Sequence, residues 1–248
     1  LESLRVLQSV LSFLTILPAG KEHDIRYVAK NMYLFPVCGA VIGAIVGTMA
    51  FGISPFLHPL LVGLLATGAI VIITGVHHTD ALADFADGLM AKGSKEEKRK
   101  AMLEPAVGSA GVAALVMYFA GMIIVFYTGL PKGLGIIASL ITAEVIAKYV
   151  MVLLANRGVS AWEGFSSPFT LAMKDTRKIV AATAVTVVIL WLASSYAGLA
   201  ALAVSIAIAG LMKYVSGRTF GGISGDVLGA SNEVTRLASL IVLASVII

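Results

Sequence analysis

Six stretches of this chain are almost free of charge: residues 32–51, 56–76, 108–128, 134–155, 179–196 and 199–214. Nothing else in the sequence limits the fold as tightly. A helix needs ~20 mostly apolar residues to cross the ~30 Å hydrocarbon core of a bilayer. Only helices and closed barrels can satisfy their backbone hydrogen bonds there. The runs are unbroken and do not alternate in segments of ~10 residues, which speaks against a barrel. Composition closes off a soluble domain: 58% of residues are hydrophobic and 13% charged, against about 25% charged in a typical soluble domain. Disorder and nucleic-acid binding need polar composition or a basic face, and both fall with it. The expected fold is all-α, a polytopic integral membrane helical bundle of six to seven transmembrane helices, with residues 1–248 as one membrane domain.

The seventh span is the marginal one. Leu237 to Ile248 is too short alone and crosses only if its helix begins near Asn232. At the other end, Leu4, Leu7, Leu11, Leu14 and Leu17 fall at helical spacing, which predicts an amphipathic helix lying in the interface. Glu2 and Arg5 interrupt this stretch, and no small-residue cleavage pattern follows. It does not read as a signal peptide, so insertion is expected to rely on the spans themselves.

With this list of spans, alternate hydrophilic segments share a side of the membrane. Sixteen of the 18 basic residues then fall on one side, among them Lys21, the group from Lys92 to Lys100, and Arg236. Lys132 sits opposite and Lys148 lies inside a span. Thirteen of the 14 acids follow the basic residues, with Glu144 as the exception. The positive-inside rule makes the charged side cytoplasmic, so the expected location is the plasma membrane with the polar chemistry facing the cytoplasm. A transporter needs polar groups at midplane with access from both sides, and here only Glu144 reads as a deep acid.

Asp80, Asp84 and Asp87 are separated by four and three residues. If the second span continues as a helix into the interface, all three carboxylates share one face with His77. Anions stacked this way repel each other unless a cation compensates. Oxygen ligands with open positions suit Mg²⁺, which shares its shell with substrate phosphates. The alternative is a charged helix end leaving the membrane, but Ala81, Leu82, Ala83, Phe85 and Ala86 around the acids are apolar. A second polar group follows the sixth span. Gly221, Gly222 and Gly225 interrupt the helix, where backbone N–H groups can face an anion. Asp226 and Glu233, seven residues apart, share a face if a helix resumes there, with Asn232 beside them. The structural reading is a glycine-rich loop with Asp226 as an N-cap.

Lesser features have plainer readings. Glu144 and Lys148 at i and i+4 form an ion pair within one span, or Lys148 points to a substrate phosphate. Lys92 to Lys100 is a topology signal with lipid headgroup contacts or steers an anionic substrate. Gly39, Gly43 and Gly47 repeat at the four-residue spacing of close helix packing. Cys38 is the sole cysteine and cannot form an intramolecular disulfide.

His78, Asp80, Asp84, Asp87 and Gly88, followed by Gly221 to Ala230 and then Asn232 and Glu233, carry a family resemblance. So do the openings Leu11 to Pro18 and Leu34 to Gly39. The chain resembles the cobalamin synthases, adenosylcobinamide-GDP ribazoletransferases that perform the final joining step of cobamide assembly. It departs from the family at Ala81, where glycine is usual, and at Ile16, where arginine is common. Leu103, Glu104, Pro105 and Ala106 stand where the family tends to have a Lys-Asp-Ser-Arg-type stretch. The resemblance implies a Mg²⁺-dependent displacement of GMP from adenosylcobinamide-GDP by α-ribazole or its 5′-phosphate. It places the metal on Asp80, Asp84, Asp87 and Glu104, catalysis on Asp84, Asp226 and Glu233, and substrate contacts on His78, Lys148, Ser224 and Asn232. Its partners are the two small-molecule substrates and membrane lipid, with a homo-oligomer compatible and no nucleic acid. A CDP-alcohol phosphotransferase uses a similar aspartate stripe, but its Asp-Gly and Ala-Arg elements at longer spacings are not matched. A cation transporter is the alternative from outside the enzymes.

Overall fold

The structure is a computed structural model that describes residues 2–18 and 24–246. Lys21 of the basic segregation and Ile247 and Ile248 of the last apolar run lie outside the described residues. Every regular element described is helical: α1 (Glu2–Leu14), α2 (Ile25–Lys30), α3 (Phe35–Ile53, led by a 3-10 turn), α4 (Pro59–Thr74), α5 (His77–Met90), α6 (Lys95–Met102), α7 (Ser109–Thr128), α8 (Leu134–Arg157), α9 (Ser167–Ala172), α10 (Thr176–Thr219) and α11 (Gly225–Val246).

Five helices are long and apolar enough to cross a membrane: α3 with its leading turn, α7, α8, α10 and α11. One of them is two passes. At Ser195 the backbone leaves helical geometry, with φ 48° and ψ −132°. A Cβ on Gly198 would lie 3.0 Å from the carbonyl oxygen of Leu190, although eight residues advance about 12 Å along a straight helix. The chain therefore folds back here, in the turn expected between the fifth and sixth runs. The shorter α4, of 16 residues, spans about 24 Å and completes seven passes. The last helix begins at Gly225, earlier than the Asn232 its apolar run required, so the seventh pass is full length.

Glycine sets the core. Side chains at Gly39 and Gly43 would lie 2.5 Å from backbone atoms of Glu144 and Ile141, and one at Gly47 would lie 2.8 Å from Ile137. The four-residue repeat thus lets α3 lie directly on the backbone of α8, as its spacing predicts. Hydroxyl pairs tie neighbouring passes: Thr142 with Ser194 (2.8 Å), Tyr149 with Thr183 (2.9 Å) and Ser205 with Ser239 (3.2 Å). Outward-facing Leu64, Met117, Val188 and Leu192 are exposed, the surface that lipid requires. In α1, Leu14 of the predicted leucine face is buried, together with Val10 off that face, while Leu4 of the same face is exposed.

Candidate active site

Gly75 and Val76 both take positive φ, 70° and 59°. Glycine does so freely, whereas a β-branched valine is strained there. Together they turn α5 by 93° from α4. The acid-bearing helix is thus not the expected continuation of the second span. It lies across the end of the bundle where most charged segments emerge, held by three devices. Ser94 and Glu97 cap α6 reciprocally (2.7 and 3.3 Å), and Lys98 of that helix donates to the carbonyl of Leu89 at 3.0 Å. Asp87 accepts from the backbone N–H groups of Gly108 (2.7 Å) and Gly111 (2.8 Å), which caps α7. Finally, Ala81 packs where a Cβ on Gly229 would stand, so α5 crosses α11 without a side chain between them.

That crossing gathers the acids. Asp80 is exposed; Asp84, Asp87 and Asp226 are half-buried. Burial, then the like charges of Asp80, Asp226 and Asp87, push the Asp84 carboxyl up to about 6. Ser224 caps the start of α11 by accepting from the N–H of Val227 (3.2 Å), and its hydroxyl donates to Asp226 at 3.3 Å. The N-cap is therefore Ser224, with Asp226 in the first turn. In the glycine turn before it, Gly221 takes φ 87° and is exposed, while Gly222 is buried, with a Cβ there 2.5 Å from the carbonyl oxygen of Val159. Ile223 exchanges backbone hydrogen bonds with Val159 and Ala161 (2.8 and 3.0 Å). Glu104 is exposed on the α6–α7 loop, apart from the stripe. Among the described residues, no group of three or more His, Cys, Asp or Glu side chains is arranged to hold a metal ion.

Six other polar residues occupy the interior of the bundle instead. Arg236, which its sequence position put on the charged side, is 0% exposed. It pairs with Glu144 and Glu233 and donates to the Tyr118 hydroxyl at 2.8 Å. Lys148 donates to Asn232 (2.7 Å) and lies 3.8 Å from Glu144, and Asn232 donates to Glu233 (2.8 Å). Glu233 lies two helical turns from Asp226, about 10 Å along α11, and shares a buried network with Asn232 and Lys148. Sequence spacing suggested the Glu144–Lys148 pair. The i, i+3 spacing of Glu233 and Arg236 was an equal signal that went unread, and Glu144, the other partner of Arg236, is 92 residues away.

A cavity of about 770 Å³ opens beside Asp226, between α1, α5, α9 and the start of α11. His77 and His78 form part of its wall. His78 is 8% exposed; burial and then the charges of Lys148, Arg236 and His77 hold its imidazole well below the usual histidine range. This cavity escaped the sequence reading because its walls come from eight separate helices and the loops between them.

An all-α bundle of apolar passes, with its acids gathered across one end, defines a polytopic membrane protein with a one-sided polar site. Comparison with known proteins gives that site a lineage. A profile of the cobalamin-5-phosphate synthases matches residues 6–244. The adenosylcobinamide-GDP ribazoletransferase of Archaeoglobus fulgidus is 37% identical, over 96% of this chain and 96% of its own length. Namesakes from Halorubrum lacusprofundi (33%, covering 96% and 95%) and Methanocella arvoryzae (31%, covering 97% and 96%) align as completely. No solved structure matches. The chain belongs to the cobalamin-5-phosphate synthase family, and it is a membrane enzyme of the transferase class.

Proposed function

We propose that this enzyme joins α-ribazole, or its 5′-phosphate, to adenosylcobinamide-GDP with release of GMP. The product is adenosylcobalamin or its 5′-phosphate, and the step is the last of cobamide assembly. The observation that carries this reading is the convergence of Asp80, Asp84 and Asp87 of α5 with Asp226 of α11, in a chain aligned end to end with ribazoletransferases.

The reaction is a displacement at phosphorus. A ribose hydroxyl oxygen of the acceptor forms a new bond to the phosphorus that carries cobinamide. The bridging P–O bond of the pyrophosphate breaks, and GMP leaves with the bridging oxygen. The hydroxyl proton needs an acceptor within hydrogen-bond reach. Asp226 borders the cavity beside the stripe, and Asp84 lies among the like charges of Asp80, Asp226 and Asp87. These two are the groups we assign to proton transfer and charge placement. Lys95, Lys98, Arg99 and Lys100 ring the same end of the bundle and favour approach of a substrate that carries a pyrophosphate.

The residues present fit Mg²⁺. The donors are all oxygen, and Asp84 is pushed up by burial and then by its acidic neighbours, whose like charges meet here without a cation. Mg²⁺ is usually held by one or two carboxylates, with waters and substrate phosphates completing its shell. A closed cage of protein ligands is therefore not needed. Asp80 and Asp84 would hold it; Asp87 has both carboxylate oxygens engaged by α7. When bound, the ion neutralises charge on the pyrophosphate oxygens. Asp84→Ala is expected to abolish GMP release while the protein still inserts; full activity in that variant would remove the assignment. By the positive-inside rule, the site faces the cytoplasm from the plasma membrane.

A further inference from the structure

The cavity beside Asp226 has features that the transfer reaction does not by itself explain. Its volume, about 770 Å³, falls within the range of small-molecule sites. One side is aromatic. Phe13 of α1 stacks on Phe165 at 6.0 Å with 16° between the rings, and meets Phe169 at 5.7 Å. Phe35 closes on the same group (6.3 Å from both Phe13 and Phe169). At the rim, Trp162 has the Arg99 guanidinium 4.3 Å above its ring.

The other side is polar and unsatisfied. Among the described residues, six buried side-chain polar atoms lack a hydrogen-bond partner. Three of them, Ser9 Oγ, Ser12 Oγ and His78 Nδ1, belong to residues lining this one cavity. Ser9 is 3% exposed and His78 8%. Buried polar groups without partners are destabilising and scarce in folded proteins, and half of those described belong to residues around this one space.

We propose that this cavity seats the acceptor nucleoside, with its flat, largely apolar base against the phenylalanines and its ribose turned to Asp226. The assignment rests on the transferase reading. A benzimidazole-type base presents two apolar faces and little polar edge, which suits phenylalanine walls and two serine hydroxyls. Guanine carries donors and acceptors along its edge, and the phenylalanine side of the lining leaves them unmet. A corrinoid is too large for the space. Seated here, the nucleoside holds a ribose hydroxyl next to the acids while its base stays out of water.

Fluorescence and kinetics test the assignment together. The chain has two tryptophans, Trp162 and Trp191. Trp191 is 56% exposed in the first arm of α10, away from the cavity. In a Trp191→Phe background in lipid nanodiscs, α-ribazole alone should produce a saturable change in Trp162 emission. Phe165→Ala, at a residue 56% exposed, should weaken that response at least fivefold. Ser12→Leu, which fills the cavity from a different helix, should weaken it as well. In turnover, both variants should raise the KM for α-ribazole about tenfold and move that for adenosylcobinamide-GDP less than twofold. A saturable response to GDP and none to α-ribazole would hand the cavity to the donor nucleotide and overturn the proposal. So would an unchanged KM for α-ribazole in both variants of an enzyme that releases GMP normally. Absence of GMP release from the unmodified enzyme speaks instead against the transferase reading.

Discussion

Asp84 gains little from its surroundings in the absence of a cation. Its carboxyl is raised to about 6 by burial and then by Asp80, Asp226 and Asp87. A carboxyl whose folded value lies above its ordinary one contributes stability at low pH that is lost as pH rises through the folded value. Asp84→Asn removes that loss. In EDTA, the variant should melt above the parent at pH 7.5, with the difference shrinking towards pH 4. Added Mg²⁺ should raise the parent's melting temperature more than the variant's. Equal melting curves at both pH values would mean that the acids do not repel one another as described. The stripe was legible in sequence because 4 and 3 are helical spacings, whichever way the helix points. The bonds of Asp87 to Gly108 and Gly111 were not, since they join residues 21 and 24 positions apart. Arg236 was hidden for a related reason. A charge at the edge of an apolar run reads as its boundary, and the pairing with Glu233 and with the distant Glu144 makes it an interior residue. Breaking a buried ion pair on one side typically costs 3–5 kcal/mol. Arg236→Met should therefore lose stability on that order in detergent unfolding, and a variant as stable as the parent would contradict the network.

At the scale of elements, the site depends on how closely α5 crosses α11. Ala81 occupies the place that a side chain on Gly229 would need. Glycine is usual at the position of Ala81 in the family, so this chain carries one methyl group at the crossing. Gly229→Ala adds a second and should force the helices apart, with at least a tenfold loss of kcat. Ala81→Gly in the same chain should restore most of it. Failure of that rescue would show that the crossing does not set the spacing of the acids. The turn ahead of α5 marks where periodicity reasoning reached its limit. Gly75 is an ordinary helix terminator, but nothing in the residue types announces that Val76 would also take positive φ. The 93° bend follows from both. The packing of α3 on α8 was easier to read, because glycines at every fourth position leave one helix face without side chains.

For the molecule as a whole, apolar run length gave the architecture and its passes almost unaided, because lipid leaves a chain few alternatives. Run length marked even the reversal at Ser195 inside α10, as the break between two apolar runs; what it could not show was a cavity whose walls come from eight helices and the loops between them. Orientation has a direct check. Cys38 is 0% exposed and should not react, so single cysteines can be placed at will. Lys132→Cys, between α7 and α8, should label with a membrane-impermeant maleimide in intact cells. Lys92→Cys, between α5 and α6, should label only after lysis. The reverse pattern would turn the site outward.

The central claim is the transfer itself, and GMP release tests it most directly. Purified protein in lipid, given adenosylcobinamide-GDP and α-ribazole or its 5′-phosphate, should release GMP only when both substrates and Mg²⁺ are present. Release that needs no acceptor, or none with either ribazole form under any divalent cation, would contradict the account.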